Sequence, residues 1–124
     1  MLCLEHKHER IEKNMKIFLD DIRNPPDSSW TIARSVKEAI DLMDNNNISE
    51  ISFDHDLGMN EKTGYDLAKE IEYRAFYGKI LRFKWNVHSM NPVGKKAIEK
   101  AMESAEHFWK NVTFLVDFFT ENNP

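Results

Sequence analysis

The chain has 124 residues, which suits one domain with a core of its own. Hydrophobic residues make up 41% and charged residues 31%, an ordinary globular mix. The net charge of −4 argues against wholesale nucleic-acid binding, for which a basic stripe is expected, and leaves room for one small phosphorylated ligand. Cys3 is the only cysteine, so no internal disulfide forms and a reducing compartment is expected. The opening residues, MLCLEHKHER, lack the apolar stretch of a signal peptide, and no apolar run approaches the length of a membrane span. A cytoplasmic protein with no membrane partner is expected.

Residues 1–14 are polar and charged, with His6 and His8 among Lys and Glu, and read as a solvated extension. The domain is expected over residues 15–124. Lys16 to Asp20 reads as a buried strand, short, apolar and ended by two acids. IRNPPDSSW follows, and its two prolines and polar residues make a loop. Trp30 to Arg34 suits a second strand. Ser35 with Glu38 forms a capping box for a helix from Val36 to about Asn45, whose inner face carries Val36, Ala39, Ile40 and Met43. Glu50 to Asp54 is a third strand. Thr63 caps a helix to about Tyr77, with Leu67, Ala68, Ile71 and Ala75 inward and Gly78 just past its end.

Ile80 to Val87 reads as a fourth strand, its Arg82, Lys84 and Asn86 alternating with apolar residues as at an edge. Asn91 caps a further helix with Pro92 at its first position and Ala97, Ile98, Ala101 and Ala105 as its stripe. Val112 to Phe119 fits a last strand and an extended final helix equally well. Trp30, Trp85 and Trp109 are expected in the core. The order β, β, α, β, α, β, α is that of a single-domain, flavodoxin-like or receiver-like three-layer α/β sandwich with a mostly parallel sheet, the first crossover helix replaced by a loop.

Three strands end in groups that carry chemistry: Asp20-Asp21, Asp54-His55-Asp56 and His88-Ser89. Ligands of an open α/β sheet sit outside the carboxyl ends of its strands, so all three clusters fall on one rim. Carboxylates gathered there repel one another and call for a cation or a proton. Asp20, Asp21, Asp54 and Asp56 are the candidate ligands of a divalent metal, Mg²⁺ or Mn²⁺, and a histidine ligand shifts the preference towards Mn²⁺, Fe²⁺ or Zn²⁺. Arg23, Ser89 and Asn91 are candidate phosphate-binding residues, the last two at a helix start with free N–H groups. His55 and His88 are candidate general acid or base, with Asp54 beside them.

The ordered motifs FLDDIRNPP, W-x-x-A-R-S, SFDHDLG with TGYDLA, and HSMNPVG resemble the small domains described as cyclic-phosphate processing receivers. The resemblance runs from about Lys16 to Met102. It implies a divergent response-regulator receiver acting on cyclic phosphates, such as RNA ends. By that resemblance Asp20 and Asp21 stand at the Mg²⁺-holding acidic pair, and Asp54 at the phosphoacceptor, although the spacing to Gly64 also allows Asp56. Ser89 stands where a receiver has Ser or Thr. No lysine stands clearly at the end of a fifth strand, which departs from a phosphorelay receiver. The function expected is a metal-dependent phosphoesterase acting on a cyclic phosphate or related ester, with a small phosphorylated ligand or RNA end as partner. A stand-alone phospho-accepting receiver and a non-catalytic interaction or nucleotide-binding domain are the alternatives.

Overall fold

The structure, a computed structural model, describes residues 14–122, with side chains described through Asn111. In chain order the elements are β1 (Asn14–Leu19), β2 (Trp30–Ala33), α1 (Val36–Asn45), β3 (Asn47–Phe53), α2 (Gly64–Phe76), β4 (Lys84–Val87) and α3 (Pro92–Asn122). The four strands are all parallel, in the order β2-β1-β3-β4. The chain leaves β1 towards β2 on one side and then crosses to β3 on the other. The switch point between β1 and β3 is where such sheets open a crevice for ligands.

Each helix starts as its sequence specifies. Ser35 accepts the Glu38 N–H at the head of α1. Thr63 and Asp66 close a capping box at α2. Gly78 takes φ 66° just after α2, a conformation that favours glycine. The connections β2-α1-β3 and β3-α2-β4 step the same way across the sheet, so right-handed crossovers put both helices on one face. One core cluster joins Ile17, Leu19, Ala33, Ile51 and Phe53 of the sheet to the apolar stripes of all three helices.

The described residues therefore supply the sheet and one helical layer of the expected sandwich. The loop of residues 20–29 stands where a receiver's first crossover helix would cover the second face. That face carries Lys16, Phe18, Ile32, Ser52 and Asn86 by strand alternation, and its side chains shelter one another. Phe18 stacks on His88 with ring centroids 4.4 Å apart and meets the edge of Trp30 at 6.0 Å. The Lys16 ammonium lies 4.5 Å over the Trp30 ring.

Two expectations need correction, and one open alternative is decided. The fourth strand begins at Lys84 rather than Ile80, because Ile80 gives its carbonyl to the Trp109 indole N–H at 2.9 Å instead of to a ladder. The ambiguous C-terminal run continues α3 as helix to Asn122. Of the three tryptophans only Trp109 is fully buried, while Trp85 packs partly exposed against the core and Trp30 lies on the opposite face. The expected extension falls almost wholly outside the described residues.

Candidate functional site

The residue that follows β1, Asp20, is only 1% exposed, and its carboxylate is saturated. A carboxylate has about four acceptor positions. Oδ1 accepts the backbone N–H groups of Ile22 (2.9 Å) and Arg23 (2.7 Å). Oδ2 accepts Arg23 Nε and His88 Nε2, each at 3.0 Å. Burial pushes the Asp20 pKa up, but the Ile22 and Arg23 N–H bonds, the His88 bond and the Arg23 charge outweigh it and hold the carboxyl below its ordinary value.

Asp54 follows β3 and faces the same way. Its Oδ1 accepts the His55 N–H at 2.8 Å and lies 3.7 Å from the Arg23 guanidinium. Its Oδ2 accepts no hydrogen bond among the described residues. Burial raises its pKa; the His55 N–H bond lowers it, but the neighbouring Asp20 charge adds to the rise and the net shift is upward.

His88 follows β4 and is fixed on every side. Nε2 meets Asp20, Nδ1 meets Ser52 Oγ at 2.7 Å, and Phe18 stacks on the ring. An ionised Asp20 only accepts, so Nε2 carries the proton, and in the neutral ring Nδ1 accepts from the Ser52 hydroxyl. Both nitrogens are thus engaged. His55 differs. Its Nδ1 bonds Asp56 Oδ1 at 2.9 Å, while its Nε2 has no partner among the described residues. The His55 hydrogen bond holds Asp56 ionised below the usual carboxylate range. The ring rests against Gly94 at the start of α3, where a Cβ would lie 2.3 Å from His55 Cγ.

The remaining candidates divide. Arg23 bridges Asp20 and Asp54 with a half-exposed guanidinium. Asn91 caps α3 through Gly94 N–H at 3.0 Å and donates to Asp56 Oδ2 at 3.4 Å. Ser89 Oγ is taken up by the Asn91 N–H at 3.1 Å. Asp21 makes no side-chain hydrogen bond among the described residues, and Asp56 is exposed beside His55, so neither belongs to the Asp20–Asp54–His88 group. Two residues escaped the sequence reading. Ser52 sits inside β3 as the partner of His88. Arg34, just after β2, ties the Asp20 loop by donating to the carbonyls of Asp20 (3.1 Å) and Arg23 (2.6 Å) and to Asn24 Oδ1 (2.8 Å).

One ligand atom from each of Asp20, Asp54 and His88 lies within 4.8 Å of the others. Two carboxylates and an imidazole fit a divalent cation by donor type, with a lean towards Mn²⁺, Fe²⁺ or Zn²⁺. The open Oδ2 of Asp54 and the repulsion between the two acids fit it as well. On Asp20, by contrast, Arg23 already stands in the cation's place.

The model of the cyclic-phosphate processing receiver domain matches residues 15–104, well over half of the chain. The chain belongs to this family. No curated protein and no solved structure matches it. As a cyclic-phosphate processing receiver, the chain presents a receiver's strand-end acids with His55 and His88 added on the same rim. No described helix is long and apolar enough to cross a membrane.

Proposed function

We propose that this domain hydrolyses a cyclic phosphate or a related phosphate ester, free or at an RNA end, with a divalent cation held by Asp20, Asp54 and His88. The observation that carries this reading is the meeting of these three side chains at the switch point of a chain from this family. A divalent cation bound there supplies a Lewis acid for a phosphoryl oxygen and acidifies a bound water. The protein's own groups do the rest. The ionised Asp56 holds the proton of His55 on Nδ1, leaving Nε2 a bare base that takes a proton from the attacking water. The same nitrogen returns the proton to the alkoxide oxygen as the ring P–O bond breaks. Arg23 pairs with the phosphate. To serve as a ligand, His88 would carry its proton on Nδ1, donated to Ser52 Oγ, which leaves the Nε2 lone pair free.

Incubation with a 2′,3′-cyclic mononucleotide, resolved by chromatography, tests this. Ring opening with Mn²⁺ or Mg²⁺, its loss in EDTA, and a drop of roughly 10²–10⁴-fold in the rate of His55→Ala are expected. No opening with any divalent cation would remove the hydrolytic reading. Labelling of Asp54 by acetyl phosphate in its place would make the domain a phospho-accepting receiver.

A further inference from the structure

We propose that Arg23 and a divalent cation exclude one another at the Asp20–Asp54 pair, and that the guanidinium released by the cation becomes the phosphate-binding group. This rests on the metal reading above and goes beyond it by giving Arg23 two positions.

The first position is observed. Arg23 supplies two of the four donors on Asp20, its backbone N–H and its Nε, and its far end reaches within 3.7 Å of Asp54 Oδ1. A cation ligated by Asp20 Oδ2, Asp54 and His88 lands on a carboxylate oxygen that Arg23 Nε and His88 Nε2 both occupy. A guanidinium left beside a dication would also repel it. The two therefore compete for the same carboxylate oxygen and the same negative charge.

The second position follows from what is fixed and what is free. Arg34 holds the carbonyls of Asp20 and Arg23, and Asp20 Oδ1 holds the Ile22 and Arg23 N–H groups, so the loop backbone is clamped at its first turn. The Arg23 side chain is 48% exposed, so it swings without unfolding the loop. A phosphate entering a pocket with two carboxylates is repelled until a cation neutralises them. Once Nε is released, the guanidinium offers a planar fork that matches phosphate oxygens. One residue thus shields the acids in the absence of metal and recognises the anion in its presence.

Mn²⁺ affinity is read directly from the free-ion electron paramagnetic resonance signal, and inorganic phosphate is then titrated at saturating Mn²⁺. Arg23→Gln should bind Mn²⁺ tighter by roughly fivefold, the upper worth of one half-exposed ion pair. It should bind phosphate roughly tenfold more weakly, the worth of a charge-assisted hydrogen bond. An unchanged or weaker Mn²⁺ affinity overturns the competition, and an unchanged phosphate affinity overturns the hand-over. Failure of both proteins to bind Mn²⁺ removes the metal reading itself, whereas equal binding by both removes only the role of Arg23. Wild-type protein gives a second test that no folding defect can confuse. Under a Mg²⁺ or Zn²⁺ titration, the ¹⁵N resonance of Arg23 Nε–H should move from its carboxylate-bonded position to that of a solvated arginine. A resonance that stays in place overturns the exclusion.

Discussion

Asp54 is the residue on which the pocket's electrostatic cost falls. Its pKa is raised by burial and by the Asp20 charge. A carboxyl with a folded pKa above its unfolded value, about 3.9, stabilises the fold while protonated and loses that contribution as pH rises through the folded pKa. Asp54→Asn, whose side-chain oxygen still accepts the His55 N–H, should therefore raise Tm at pH 7 in EDTA by a few degrees. Its advantage over wild type should fade as pH falls through the folded pKa and be gone below about 4. Asp20 has the opposite sign. Its lowered pKa gives stability present above the unfolded value and lost as pH falls through the folded one. Asp20→Asn should cost roughly 3 kcal/mol at pH 7, since it breaks a buried ionic network. Thermal melts across pH 3–8 check both signs, and equal melts of the two variants would contradict this account. The sequence places Asp20, Asp54 and His88 on the rim because each follows a strand. It does not say which acid of Asp20-Asp21 or of Asp54-His55-Asp56 faces the pocket. Neighbours at a strand end point opposite ways, and a one-residue phase error exchanges them. The roles of Ser52 and Arg34, which stand in the SFDHDLG and W-x-x-A-R-S motifs, were illegible for another reason: their partners lie across the fold.

Among the elements, α2 and α3 are set against the site by two glycines of different kinds. A Cβ on Gly64, in the first turn of α2, would lie 1.9 Å from the backbone oxygen of Asp54, while the Gly64 N–H donates to the His55 carbonyl at 2.8 Å. Backbone cannot step aside cheaply. Gly64→Ala should cost about 3 kcal/mol or more in denaturant melts. A Cβ on Gly94 would instead strike the His55 ring, a side chain that can rotate away. Gly94→Ala should cost about 1–2 kcal/mol but separate His55 from Asp56 and lower turnover out of proportion. A Gly94→Ala variant with full activity would show that the seat of His55 is irrelevant. The helices themselves were legible from caps and stripes. The fourth strand was overextended because Ile80 to Phe83 alternates like a strand, yet uses its burial for Phe83 against Trp109, 5.3 Å between ring centroids, rather than for a ladder. A short apolar run such as Val112 to Val116 cannot be assigned by periodicity, and it proved to be helix.

At the scale of the whole molecule, the sheet carries its described helices on one face and gathers Asp20, Asp54 and His88 at one rim. A ligand at that rim must therefore act on global stability. Asp20 and Asp54 come from strands either side of the switch point and His88 from the edge strand, so a cation joining them ties β1, β3 and β4 together in the native state only. A cation at about a hundred times its Kd adds about 2.7 kcal/mol by mass action, which is roughly 10 °C in Tm for a domain of this size. The same repulsion that makes Asp54 costly without metal makes it a ligand with metal, so the two effects of one substitution have opposite signs. In EDTA, Asp54→Asn should melt above wild type. In saturating Mn²⁺ the order should invert, because wild type rises by the full binding increment and the variant, with one ligand neutralised, rises little. Scanning calorimetry of both proteins in both buffers decides it. A parallel rise of the two would place the cation elsewhere on this acidic chain, and no rise in either would leave Arg23 as the only cation the pocket accepts.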